Sequence, residues 1–64
     1  MNFDDYAGKV VTVTCPEHRY QGKLINVYGD SIELSGARVL YDSENAQLPH
    51  CWQIIKSKII NIAV

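Results

Sequence analysis

Four side chains of the metal-binding kinds lie in two short stretches: "CPEH" carries Cys15 and His18, and "HC" is His50 and Cys51. Two thiols and two imidazoles are the donor chemistry of a tetrahedral zinc site. In a meander of antiparallel strands the first and third connections fall at one end, so the four can approach one another. Against this, consecutive residues of a strand point to opposite faces, and His50 and Cys51 share a metal only if they sit in a loop. In the competing reading Cys15 and Cys51 are small apolar core residues and the histidines are solvated. The second reading is preferred, and no metal or other cofactor is expected. Catalysis has less support. Cys15 and His18 are the one nominal nucleophile and base, and the sequence supplies no orienting acid, no glycine-rich phosphate loop and no paired carboxylates at a useful spacing. The chain is not expected to be an enzyme.

Composition narrows the class. Sixty-four residues make one domain, and so short a chain buries a small fraction of its surface, so that a disulfide, a metal or oligomerisation usually supplements its core. The opening "MNFDDYAGKV" has neither a basic start nor an apolar run, which leads us to expect a cytoplasmic setting where a lasting disulfide is unusual. No stretch reaches the length of a membrane-spanning helix, and no membrane partner is expected. Six basic and seven acidic side chains give a net charge of −1. That balance argues against coating duplex nucleic acid through bulk charge, while leaving room for a local basic site.

The elements that position these residues read as short strands. "KVVTVTC" is β-branched at five of seven positions, and its alternation puts Val11, Val13 and Cys15 on one face and Val10, Thr12 and Thr14 on the other. Pro16, Glu17 and His18 make a reversal. Arg19 to Tyr28 follow as a second strand, with Gly22 marking a bulge or sharp bend. "YGDS" is a tight turn in which Gly29 and Asp30 tolerate positive φ. Ser31 to Tyr41 form one bent strand or two, broken at "SG". Residues 42–50, "DSENAQLPH", read as a loop. Cys51 to Lys56 and Lys58 to Val64 are the last two strands, joined at Ser57. The first residues suit a single helical turn with Asn2 as its N-cap and Gly8 as its stop. The expected architecture is all-β: a strongly bent, five-stranded antiparallel sheet with a short N-terminal helical turn.

Those residues resemble a known family. "GKVVTVTCPEHRYQGKLINVYGDSIEL" and, after a variable loop, "IIKSKIINI" look like the two sequence motifs of the Sm and Sm-like proteins, including the bacterial Hfq branch. The pattern V-x-V followed by Y-x-G-x-L has a physical reading: Val11 and Val13 face the interior, Gly22 permits the bend, and Leu24 and Val27 fill the core. The resemblance implies an SH3-like small barrel of Sm type. It also implies a closed homo-oligomeric ring in which strand 51–56 of one copy pairs with strand 58–64 of the next, and binding of single-stranded RNA. The apolar ending "IIKSKIINIAV" fits that picture, because an apolar edge strand invites another chain.

In that family RNA is held by the loops that correspond here to "YGDS" and "KSK". The resemblance therefore implies a site of Tyr28, Asp30, Ser31, Lys56, Ser57 and Lys58, with Tyr28 stacking on a base and the lysines and Ser57 meeting phosphate or ribose. The same residues have plainer readings: Tyr28 as a turn residue packed on a neighbouring strand, the lysines as solubilising charges on an edge. Trp52 reads as a core or subunit-interface anchor. The chain also departs from the family pattern. Ser31 falls where the first motif has asparagine, and one hydroxyl replaces an amide's paired donor and acceptor. The second motif's arginine and glycine, or lysine and histidine, appear as Lys56 and Ser57. Loss of the asparagine and of a strongly basic character leaves a second expectation, a structural or adaptor ring that binds protein.

Overall fold

The computed structural model describes residues 2–40 and 45–64. A 3-10 turn, Phe3–Tyr6, opens the chain, and the strands are β1 (Val10–Thr14), β2 (Arg19–Val27), β3 (Ser31–Leu40), β4 (Asn45–Gln47), β5 (Cys51–Ile55) and β6 (Asn61–Ala63). A second 3-10 turn, Lys56–Lys58, separates β5 from β6. All pairings are antiparallel, in the order β4-β3-β2-β1-β6, and β5 pairs with β3 beside β4. β5 runs along Ser31 to Ser35 and β4 along Arg38 to Leu40. The two short strands are thus consecutive pieces of one lane, and the sheet has five lanes.

Two glycines shape the curl. Gly22 is buried in β2, and a Cβ there would lie 3.0 Å from the Ala37 Cα and 3.1 Å from the Ser35 carbonyl oxygen. The β2–β3 register shifts between Gln21 and Lys23, so the bend expected at Gly22 is a bulge where two backbones meet too closely for a side chain. Gly36 adopts φ +62°, the left-handed region that glycine enters at no steric cost. Its N–H donates to the His50 carbonyl at 3.0 Å. β3 is therefore one strand, kinked at "SG", and the kink is why its outer partner is divided into β4 and β5.

Inside the curl Val11, Val13, Leu24, Ile32, Leu34, Ala37, Ile54 and Ile62 form one buried cluster. Phe3, Tyr6, Cys15, Tyr20, Val27, Leu48, Trp52 and Ile59 pack against it half-buried. The alternation of β1 behaves as read, with Val11 and Val13 inside. Val27 and Trp52 are supports of the core rather than its centre.

The structure corrects several expectations. The segment read as a loop over 42–50 contains β4, and its residues 42–44 lie outside the described residues. Tyr41, read as the end of β3, lies outside them too. The last strand is Asn61–Ala63 and not Lys58 to Val64, because the 3-10 turn, the extended Ile59 and then Ile60 carry the chain from β3's side of the sheet to β1's. The Ile60 N–H reaches the Thr14 carbonyl at 2.7 Å. β6 pairs along one edge with β1 of its own chain, Ala63 opposite Thr12 and Asn61 opposite Thr14. Cys51 is exposed, not part of the core. Gly29 does not take a positive φ, nor does any non-glycine among the described residues. The N-terminal turn is 3-10; Asn2 caps it as read, its Oδ1 accepting from the Asp4 N–H at 3.1 Å.

The crowding at Gly22 gives a direct test. Gly22→Ala forces β2 and β3 apart and is expected to cost about 1–3 kcal/mol, the usual penalty for overpacking. Gly29→Ala meets nothing within 4 Å and should be near neutral. Denaturant unfolding of both variants measures the difference, and equal stabilities would refute the account of the bend.

Candidate functional site

The β2–β3 turn and the Lys56–Lys58 turn are brought together because β5 pairs with the start of β3: Ser31 lies opposite Ile55, so the residue after each strand end meets the other turn. The Lys56 N–H donates to the Asp30 carbonyl at 2.8 Å. The Lys56 ammonium donates to the Gly29 carbonyl at 3.4 Å and sits 5.4 Å above the centre of the Phe3 ring, a cation–π contact. The N-terminal turn, β2–β3 and β5 all therefore meet at one lysine.

Tyr28 flanks that junction. Its backbone N–H donates to the Ser31 carbonyl at 2.8 Å, which closes the turn. The residue is 44% exposed, yet its hydroxyl is not free: it donates to Glu33 Oε1 at 2.9 Å. The same oxygen accepts from Asn26 Nδ2 at 2.8 Å. Strand geometry explains the cluster. Asn26 is the cross-strand partner of Glu33, Tyr28 is two residues beyond Asn26, and Cys51 is two residues before Gln53, the partner of Glu33 on β5. Period-two alternation and diagonal neighbours bring such residues to one face.

Hydrogen bonds from Asn26 and Tyr28 hold the Glu33 carboxyl below its ordinary range, since both favour the charged form. The bond to Glu33 pushes the Tyr28 phenol up, for a phenolate would lose it. Cys51 is also raised, chiefly by desolvation and then by the neighbouring Glu33 charge.

Of the six residues named from the sequence, Asp30 and Lys56 are joined by a backbone hydrogen bond, and Tyr28 opens the turn that carries Asp30. Ser57 is exposed on the second turn. Ser31 is buried, at 8% exposure, and its carbonyl accepts the Tyr28 N–H. Lys58 is exposed and lines a separate cleft of about 300 Å³ with Cys15, Pro16, Glu17, His18, Tyr20 and Trp52. In that cleft the rings of Tyr20 and Trp52 lie 6.2 Å apart, and burial raises the Cys15 thiol against the opposing effect of Lys58. Among the described residues no three of the His, Cys, Asp and Glu side chains gather as metal donors, and no helix is long and apolar enough to cross a membrane.

Sequence reasoning missed Glu33, Asn26 and Phe3. The first two depend on a β2–β3 register that passes through two irregularities, and nothing local aims Phe3 at Lys56.

No family model matches the chain, and no curated protein matches it. Solved structures do. A chain of the NatC complex bound to CoA superposes with a TM-score of 0.83 at 15% identity, over 100% of this chain and 84% of that one. A heptameric archaeal Sm protein gives 0.82 at 19% identity, over 95% and 91%. The P. aerophilum SmAP1 heptamer gives 0.81 at 19% identity, over 95% and 84%. At these identities the likeness is one of fold: the chain has an Sm-like fold.

The bond between Tyr28 and Glu33 has a signature in solution. Glu33→Gln removes the charge that opposes phenolate formation, so the Tyr28 ring should titrate at a lower pH, nearer the ordinary value of about 10. Ring-proton NMR across an alkaline titration reads this directly. An unchanged midpoint would mean that the bond is not populated in water.

Proposed function

We propose that this chain is a non-catalytic, cytoplasmic, Sm-like subunit of a homo-oligomeric ring that binds single-stranded RNA where the Tyr28–Ser31 and Lys56–Lys58 turns meet. The observation that carries this reading is the convergence of the two turns: the turn that opens on the exposed Tyr28 is tied to the turn of Lys56 by the Lys56 N–H to Asp30 bond of 2.8 Å and by the Lys56 ammonium on the Gly29 carbonyl. A ring face on one turn and a cation on the turn joined to it suit a base and its phosphate. Asp30 and Ser57 border the junction and can meet ribose hydroxyls. Ser31 closes the turn through its carbonyl, and Lys58 adds charge on the far side of its turn.

The ring draws support from the edges. β6 and the β4/β5 lane end the sheet, and large apolar side chains in or beside these edges stay open in the single chain: Ile55 at 53%, Ile60 at 61% and Val64 at 78% exposure. Pairing β5 of one copy with β6 of the next covers both edges at once, a head-to-tail contact that closes into a ring when its rotation divides the circle. Both Sm neighbours are heptamers by description, which favours closure. Repetition of a weak site around a ring multiplies its strength.

A second reading rests on the likeness to a chain of the NatC complex: the same barrel as a structural or adaptor component that binds protein and not RNA.

Light scattering should give several times the monomer mass at micromolar concentration; a monodisperse monomer would overturn the ring. Fluorescent oligoadenylate and oligouridylate should bind at low salt. Lys56→Ala should weaken both alike and reduce the dependence of binding on salt, as expected when a phosphate contact is lost. Tyr28→Ala should cost on the order of 1–3 kcal/mol per stacked base. Absence of binding to either oligomer favours the adaptor.

A further inference from the structure

We propose that Glu33 is a positioning residue that tethers Tyr28 by its hydroxyl and makes the junction a stacking platform that takes adenine in preference to uracil. This rests on the RNA-binding reading above.

The tyrosine ring is presented to solvent while its far end is bound to Glu33 Oε1, and that oxygen is itself fixed by Asn26. A side chain anchored at both ends has given up its rotamer freedom before a ligand arrives, so less is lost when a base stacks on it. The anchoring has a second effect. The Tyr28 hydroxyl, being engaged, is not offered to a base edge. The Gly29 carbonyl is occupied by the Lys56 ammonium and the Asp30 carbonyl by the Lys56 N–H. Ser31 is buried. The groups of this turn that would read a base edge are mostly spent within the protein, and what remains is ring area. Where discrimination comes from stacking, the larger ring system wins.

The test is a set of titrations of the assembled protein with fluorescent oligoadenylate and oligouridylate of equal length at low salt. Wild type should bind adenylate several-fold more tightly than uridylate. Glu33→Ala and Tyr28→Phe cut the same tether from its two ends, so each should weaken adenylate binding by about fivefold and the double variant by no more than either, the non-additivity expected of two residues acting through one contact. Glu33→Gln keeps an acceptor for the hydroxyl and should stay within about twofold of wild type. All these side chains are at the surface, and the glutamine variant controls for any general effect of the site. Additive losses, wild-type affinity in Tyr28→Phe, or uridylate bound as tightly as adenylate would overturn this inference while leaving RNA binding intact. Failure of wild type to bind any oligonucleotide would remove the RNA reading and this one with it.

Discussion

The contact between β2 at Gly22 and β3 at Ala37 is the constraint from which the rest of the architecture follows. A nine-residue strand that pairs with β1 along one edge and β3 along the other can roll a sheet into a near-closed shape only if it bends, and it bends where a missing side chain lets two backbones approach. Once β2 is bent, Leu24 points into the same space as Val11 and Val13, and Ile32 and Leu34 enter from β3. The apolar alternation of each strand then lines one interior instead of one side of a flat ribbon.

The same curl decides which loops are neighbours. β5 pairs with the first half of β3, so the end of β5 must arrive beside the turn that starts β3, and Lys56 meets Gly29 and Asp30 for that reason. Were Gly36 unable to enter the left-handed region, β3 would run straight, and β4 and β5 would not divide its outer edge between them. Backbone geometry at two glycines thus sets where Lys56, remote from both in sequence, meets the turn that follows Tyr28. Phe3 then seals the arrangement by lying under the lysine ammonium, where a ring face favours charge over an alkyl stem.

How much of this was legible depended on whether the governing signal was local. β1 was readable because Val10 to Thr14 combine β-branching with strict alternation, and the bend at Gly22 was readable because a glycine amid strand residues has few other uses. The convergence of "YGDS" with "KSK" followed from the meander and from what the resemblance of the two motifs implied. β4 was not readable: Asn45, Ala46 and Gln47 have no strand propensity, and their pairing is imposed by the length of β3 beyond its kink. The final strand was overextended for the opposite reason. Lys58 to Ile60 look like strand but must cross between opposite sides of the sheet, and that geometry overrides propensity. The Glu33 cluster needed a register through two irregularities between β2 and β3, which alternation alone does not yield.

The open edges connect stability with the proposed activity. The buried cluster is small, as it must be in a chain of 64 residues, and domains of this size commonly gain from association what their own core lacks. Neither thiol supplies a staple, for Cys15 and Cys51 are both free. Joining β5 to β6 of a second copy would satisfy backbone groups along both edges and bury Ile55, Ile60 and Val64, three of the apolar side chains that a lone subunit leaves wet. Because β5 runs directly into the Lys56–Lys58 turn, and that turn into β6, the strands that would bind subunits together are also those that hold Lys56 against Asp30. In such an assembly a strain at the subunit contact would reach the lysine within one turn of chain, and occupancy of the junction would in return stiffen the connection between the two edge strands. Association and ligand binding would then be coupled through residues 55 to 61, by the reciprocity that any shared element imposes on two equilibria.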